Sequence, residues 1–469
     1  MSAASNRAPA PVVIVGAGPA GIAAATTLVA HGLRPVVIDE ARAAGGQIYR
    51  RMPAGFRRDA ATVYGIAAPD AVRLHRAFDD LAGRIDYRPG TLVWAAEPGL
   101  LSTYDGDRHR PVPFQRLILA TGATDRMLPI PGWTRCGVFT LGGAQVALKH
   151  QGCAIGARVA FVGTGPLLYL VAYQYARAGI RVAAVLDTAR LADAVAALPG
   201  LAANPKLLAA GFRYRAWLHA HGIAVRNGTR PLAVEGDGGG AVAAIRWRDA
   251  RGREHMTEAD SVALGFGLRS ESQLAELLGV PFAWDASRRQ WLPTRDADGR
   301  VGNGVYVAGD GAGIRGAQAA EEAGRLAALA LLHDAGSAAA AVRDTDEMMR
   351  LRARLARRDR FATALLRAFP APFDLLDGLP DATVLCRCEA VTIGAFRDAT
   401  RRLGADEPNR AKAFSRVGMG RCQGRMCGIA AAELIARWSG RTAAAFGPLR
   451  AQAPVKPVPL LAAAGEADP

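Results

Sequence analysis

Val12-Val13-Ile14-Val15-Gly16-Ala17-Gly18-Pro19-Ala20-Gly21 is the stretch that decides the fold. Its four β-branched residues predict a short buried strand. Gly16, Gly18 and Gly21 follow as G-x-G-x-x-G. The first glycine permits a tight turn, the second lets backbone approach a pyrophosphate, and the third lets a helix pack close to the strand. The Ala-rich residues 21–31 supply that helix. Its free N–H groups and positive end suit phosphates. Val36–Ile38 predicts a second strand that ends at Asp39. An acid about twenty residues beyond the glycines can accept a ribose hydroxyl, with Glu40 as the alternative. The combination points to a dinucleotide site and does not choose between FAD and NAD.

The same plan recurs downstream. Val159–Val162 leads into Gly163-Thr-Gly-Pro-Leu-Leu168, a helical stretch, and Val182–Leu186 ending at Asp187. The repeat implies two related nucleotide-type domains. Leu168 stands where the third glycine would be, which separates helix from strand or blocks a pyrophosphate. That argues against NAD(P) in the second domain. Between the repeats, Leu117–Ala120 reads as a strand closed by Thr121-Gly122. Val305–Ala308 reads as another, followed by Gly309-Asp310 and a helix from about 317 to 332. Residues 190–218 predict a helical insertion, and 241–248 and 261–265 return to strand character. Domain boundaries follow at 1–130 plus 255–335 for a discontinuous first domain and 131–254 for the second. A helical arginine-rich connector covers 336–380, a small module 381–440, and an extended or disordered tail 441–469.

Four of the six cysteines lie in the small module: Cys386-x-Cys388, then 33 residues, then Cys422-x-x-x-x-Cys427. Four thiolates suit a 2Fe-2S cluster. Glycines of Gly418-Met-Gly-Arg-Cys-Gln-Gly-Arg-Met-Cys-Gly428 would let amides reach the sulfurs, and Arg387, Arg421 and Arg425 would offset the negative charge. Zinc is the alternative metal, although it favours C-x-x-C spacing, which neither pair has. Cys136 and Cys153 have sixteen residues between them and form no close redox pair. Both read as ordinary buried cysteines.

Composition limits the remaining classes. Half of the 469 residues are apolar and 53 are glycine, which supports large cores and excludes general disorder. The net charge of +16 is scattered, almost all of it on arginine. Without an aromatic-interleaved basic motif it reads as compositional bias rather than nucleic-acid binding. No apolar run reaches the ~18 residues a membrane span needs, and no signal-peptide pattern opens the chain. A cytoplasmic location is expected.

Gly45-Gly46-Gln47, Ala120-Thr121-Gly122 and Tyr306-Val-Ala-Gly309-Asp310 resemble the two-dinucleotide flavoproteins that include glutathione and thioredoxin reductases. The resemblance covers about 1–335. It implies an α/β fold with two Rossmann-like dinucleotide-binding domains and makes the first site one for FAD. Gly16, Gly18, Gly21, Asp39 or Glu40, Gly46, Gln47, Val93, Thr121, Gly122, Gly309 and Gln318 would then surround the cofactor, with Asp310 on the ribityl chain. The C-terminal Val384-Leu-Cys-Arg-Cys-Glu389 and Ser415–Cys427 resemble bacterioferritin-associated ferredoxin modules, implying a small helical 2Fe-2S domain. With Gly45–Arg50 and Gly163–Leu168, the whole chain is similar to the A-type subunits of opine oxidases, D-hydroxyproline dehydrogenase and hydrogen cyanide synthase.

That group implies an oxidoreductase subunit with FAD and a 2Fe-2S cluster. Its partners would be a D-amino-acid-oxidase-like β subunit that oxidises a C–N bond of an amino or imino acid, and a small ferredoxin-like subunit. Peripheral contact with the respiratory chain is also implied. No general base or nucleophile stands out, as expected where the partner binds substrate. Two other readings stay open: a stand-alone NAD(P)H-dependent reductase that passes electrons through the cluster, and a non-catalytic assembly or sensor protein.

Overall fold

The computed structural model describes residues 11–53, 55, 58–336 and 343–459. The ends of the expected first domain and tail, and 337–342 of the connector, lie outside them.

The opening motif folds as its composition dictates. Val12–Val15 is a strand and Pro19–Ala30 a helix with proline in its first turn. Val36–Asp39 lies parallel to the first strand on one side and Arg116–Leu119 on the other. These are the inner strands of a six-stranded sheet that runs from Arg300–Gly302 through Val305–Val307 to Asp86–Pro89. The helices Pro19–Ala30 and Ala317–Asp334 share one face in an alanine- and leucine-rich core. They pack closely because Gly324 faces the Ala20 backbone, where a Cβ would come within 2.0 Å of the carbonyl oxygen.

A second, five-stranded sheet holds Arg158–Thr164, Arg181–Asp187, Val225–Arg226, Ser261–Phe266 and Val138–Thr140. Ser261–Phe266 corrects the expected boundary at 255. It pairs in parallel with Arg158–Thr164 from Val159 to Thr164, so the chain returns to the first sheet only after Gly267. The return is marked by a two-stranded ribbon, Ala123–Asp125 against Leu268–Ser270. The helical insertion is present as Leu191–Leu201 and Pro205–Ala220, and the connector as the helix Arg343–Ala368.

The cysteine module is a short hairpin, Val384–Cys386 with Val391–Thr392, and three helices, Ile393–Arg402, Pro408–Ser415 and Gly428–Ser439. Its core includes Leu128 and Phe266, which come from outside the module. The segment after 441 opens with a 3-10 turn, Ala443–Ala445, and then runs without regular structure, anchored through Pro459. Val455 is buried in the core beside the meander and donates its N–H to the Trp94 carbonyl. Lys456 pairs with Glu40, and the Pro459 carbonyl meets His109. Val455, Lys456 and the Pro459 carbonyl together tie the segment to the first domain. Among the described residues, no helix is long and apolar enough to cross a membrane.

Candidate functional site

The first glycine loop is shaped by contacts that only glycine permits. Gly16 has φ +106° and lies against the Ala120 carbonyl, and a Cβ on Gly21 would come within 1.7 Å of the Gly16 oxygen. Gly46, at φ +65°, sits so close to the loop that its Cβ would be 2.8 Å from the Gly18 Cα. Two glycine turns thus meet at the N-terminus of the Pro19–Ala30 helix, where donors for a pyrophosphate are free.

Asp39 stands beside this loop. Its two carboxylate oxygens accept N–H bonds from Ala17 at 2.5 Å and Ala41 at 2.7 Å. Burial pushes its carboxyl up, against the pull of those two amides. Each oxygen keeps a lone pair for a ribose hydroxyl. Glu40 is turned away to Lys456, so Asp39 is the better placed of the two. Val93 is buried in the three-stranded meander of Leu92–Glu97, Leu100–Tyr104 and His109–Pro113.

At the sheet's other strand ends, Asp310 accepts from Arg315 N–H at 2.8 Å and Gly316 N–H at 3.1 Å, both on Oδ1. Oδ2 has no donor among the described residues. Burial raises the carboxyl. Gly309 packs on Ala20, joining this turn to the glycine loop. Thr121 Oγ1 donates to the Glu271 carbonyl, and the Gly122 carbonyl accepts from Glu271 N–H at 2.9 Å. Gln47 accepts from Arg50, while Gln318 lies between Asp70 and Arg358. The shape of the glycine cradle and the acceptors of Asp39 and Asp310 fit FAD.

The second loop differs. Leu168 is fully buried in the core between helix and sheet. Asp187, at the strand end where a ribose acid belongs, is 0% exposed. It accepts the Tyr169 hydroxyl at 2.6 Å, the Ala189 N–H at 2.9 Å and the Asn227 amide at 3.4 Å. Burial lifts its pKa to about 6. The acid is consumed inside the domain rather than offered to a nucleotide.

The cysteines of the module come together in two pairs. Cys386 and Cys427 share a hydrogen bond, as do Cys388 and Cys422. The Cys386 thiol is drawn down to about 6, first by the Cys427 thiol and then by backbone N–H groups of Gly418, Glu389 and Cys388 against burial. Cys427 is pushed up by its hydrogen bond to Cys386 and by burial. Gly420 is required here because a Cβ would come 2.4 Å from the Cys388 Cβ. Among the described residues no group of three or more His, Cys, Asp or Glu is arranged to hold a single metal ion. A two-iron cluster takes two thiolates on each iron, so paired sulfurs with amides aimed at them suit it.

The module is fixed to the flavoprotein body by polar contacts of long sequence range. Arg425 forms a bidentate pair with Glu271, at 2.6 and 2.8 Å, with side chains 10% and 11% exposed. Arg425 also donates to the carbonyls of Cys422 and Val455. Burial would raise Glu271, but the charge and hydrogen bonds of Arg425, with Arg269 behind, hold it below its usual range. Gln273 donates to the Gln423 carbonyl, Trp133 to the Val384 carbonyl, and Arg289 to Glu433. The result is one chain of bonds from Thr121-Gly122 through Glu271 and Arg425 to Cys422.

Three expectations change here. Arg425 is neutralised by Glu271, so its charge is not free for the cluster as expected. The charge of the buried Arg269 is the one that interacts with the Cys422 and Cys427 thiols. Arg387 lies over the Trp133 ring. Cys136 and Cys153 are exposed rather than buried, the first in a loop before Val138–Thr140 and the second just past the π-helical turn Ala147–Gln151. That turn carries Lys149, a residue the sequence did not single out. Its buried Nζ donates to the Ile48 carbonyl at 2.9 Å and lies over the Tyr64 ring, and burial and then Arg50 lower its pKa to about 7.

Comparison with known proteins agrees with this geometry. Residues 10–324 match the pyridine nucleotide-disulphide oxidoreductase family, and residues 385–466 match the sarcosine oxidase A3 domain. The A-type subunit of opine oxidase from Agrobacterium tumefaciens (strain Ach5) is 37% identical over 96% of this chain and 90% of its own. The chain belongs to the family of opine oxidase A-type subunits. Another relative within that breadth is hydrogen cyanide synthase subunit HcnB of Pseudomonas protegens, 33% identical over 96% of both chains. The crystal structure of L-proline dehydrogenase from P. horikoshii shares the fold, with a TM-score of 0.71 over 97% of this chain and 79% of that one at 20% identity. The protein is a FAD oxidoreductase of mixed α/β fold.

Proposed function

We propose that this chain is the FAD- and 2Fe-2S-bearing subunit of a heteromeric dehydrogenase or oxidase. The complex would act on a C–N bond of an amino or imino acid such as D-hydroxyproline or an opine. Substrate oxidation belongs to a D-amino-acid-oxidase-like β subunit, and a small ferredoxin-like subunit is a further partner. The observation that carries the reading is the bonded path from Thr121-Gly122 through Glu271–Arg425 to Cys422, which holds a flavin cradle and a thiolate cluster in one frame. Relatives named as subunits of oxidases support the heteromeric part.

When bound, FAD supplies two-electron chemistry and the cluster one-electron transfer. This chain's own residues orient and shield. Gly16, Gly18, Gly21 and Gly46 admit the pyrophosphate, Asp39 holds the ribose, and Asp310 holds the ribityl chain. Cys386, Cys388, Cys422 and Cys427 hold the irons, while backbone N–H groups offset charge on sulfur. Glu271 and Arg425 fix the separation of the two sites. The alternative of a stand-alone NAD(P)H reductase is disfavoured by the enclosed Asp187 and by Leu168.

The test is anaerobic. The chain is purified alone and with a co-expressed D-amino-acid-oxidase-like subunit, and D-hydroxyproline and opines are added. Flavin bleaching in the complex and none in the isolated chain is expected. Bleaching of the isolated chain by NADH overturns the proposal.

A further inference from the structure

A second cleft lies outside the nucleotide loops. It has a volume of ≈ 670 Å³ and is lined by Arg288, Arg295, Arg315, Asp359, Trp284 and Leu292, among others. Its walls are the hairpin of Phe282–Asp285 and Gln290–Pro293, the Ala312-Gly313 segment just past Asp310, and the helix Arg343–Ala368. The size falls in the range of small-molecule sites, roughly 300–1,000 Å³.

Three arginines and three aspartates line it, but they are unevenly paired. Arg288 pairs with Asp285 at 2.7 Å, yet its Nε is buried with no partner. Among the described residues Arg315, 5% exposed, has Asp359 as its one ion-pair partner, at 3.4 Å, with the Asp310 carboxylate farther off. Asp359 is also 3.8 Å from Arg288. The Asp296 carboxylate, which borders the cleft, is taken by Arg300 and by the N–H groups of Asp298 and Arg300. Arg295 therefore has no carboxylate within 4.0 Å among the described residues. Its guanidinium donates to the Asp296 carbonyl, at 3.3 Å. Burial, and then the nearby Arg315, pull its pKa down to about 10. Asp359 and Asp296 attract Arg295 only from beyond ion-pair distance. A half-buried cation with no carboxylate in contact is costly, and a guanidinium is shaped to take an oxyanion through two parallel bonds.

We propose that this cleft binds a small-molecule oxyanion, a carboxylate or a phosphate monoester, through Arg295 and Arg315. The ligand's apolar body would rest on Trp284 and Leu292. The inference stands on the cleft alone and does not depend on the substrate class proposed above. The shared chemistry has two sources, a metabolite carboxylate and a phosphate ester, which different probes separate.

The test is calorimetric titration of the FAD-loaded full chain with succinate, with D-proline and with inorganic phosphate. Saturable binding of at least one probe below about 10 mM is expected, weakened about tenfold or more in Arg295→Met and in Arg315→Met. Binding by the carboxylates alone assigns the first source, and by phosphate alone the second. Absence of saturable binding by all three probes overturns the proposal, as does binding that survives both substitutions. Folding is controlled by urea denaturation without ligand. The midpoint of Arg295→Met should equal or exceed that of wild type, since a half-buried cation with no carboxylate in contact is removed. A lower midpoint would make Arg295 structural and also overturn the proposal.

Discussion

Replacing Glu271 with Gln tests whether the cysteine module is held by a buried ion pair. Both carboxylate oxygens accept from Arg425, and both partners are about nine-tenths covered. Gln keeps one acceptor and turns an NH₂ group towards a donor. Among the described residues Arg425 then has no carboxylate within 4.0 Å, and the buried Arg269 keeps only the more distant Glu276. Breaking a buried pair by removing one partner costs about 3–5 kcal/mol, because the remaining charge stays buried. Retained bonds from Arg425 to the Cys422 and Val455 carbonyls soften this towards the lower figure. The assay is urea denaturation followed by fluorescence, with Trp133 and Trp438 near the module. A double variant, Glu271→Gln with Arg425→Met, should recover part of the loss, since no unpaired arginine then remains at position 425. Glu271 has a depressed pKa in the folded protein. Its contribution is therefore full above the unfolded value of about 4.3 and is lost as pH falls through the folded value. A single variant within about 1 kcal/mol of wild type at pH 7 would refute the reasoning, as would a double variant weaker than the single.

Other outcomes follow from the same contacts. Gly46→Ala places a Cβ 2.8 Å from the Gly18 backbone at φ +65°, so purified protein should carry markedly less flavin, read from the 450 to 280 nm absorbance ratio. Lys149 titrates at about 7 in the folded chain and about 10.4 unfolded, so its stability contribution is full above the unfolded value and lost as pH falls to 7. Urea midpoints of wild type should rise from pH 7 to 10 by more than those of Lys149→Met, with a difference on the order of 4 kcal/mol. NADH or NADPH, mixed anaerobically with the chain, should leave the flavin oxidised because Asp187 is already bonded to Tyr169 and Asn227. Stopped-flow absorbance reads that directly.

The glycine turns, the strand ends at Asp39 and Asp310, and the cysteine module were legible because each is local. A β-branched run, a tight turn and a helix lie within twenty residues of one another. What escaped was long-range. Ser261–Phe266 is buried throughout and apolar after its first residue, and such a strand reads the same in either parallel sheet. Its partner, Arg158–Thr164, is a hundred residues away. Glu271 belongs to no motif and lies 154 residues from Arg425, so the cysteine motif that holds Arg425 does not disclose its partner. Val455 and Val458 both stand among prolines, and no periodicity announces that Val455 is the buried one. Cys136 and Cys153 depart from the general tendency of free cysteines to be buried. Both fall in exposed connections, one just before Val138–Thr140 and the other just past Ala147–Gln151. Leu168 was legible as a departure, but only the structure shows that Asp187 is closed off as well.

The most direct test of the central claim is iron and acid-labile sulfide analysis of anaerobically purified protein, with electron paramagnetic resonance of the dithionite-reduced sample. The account predicts about two irons and two sulfides per chain beside one FAD. It also predicts a cluster signal that Cys388→Ser abolishes without loss of flavin. Zinc in place of iron, or flavin-loaded protein with neither iron nor sulfide, would contradict it.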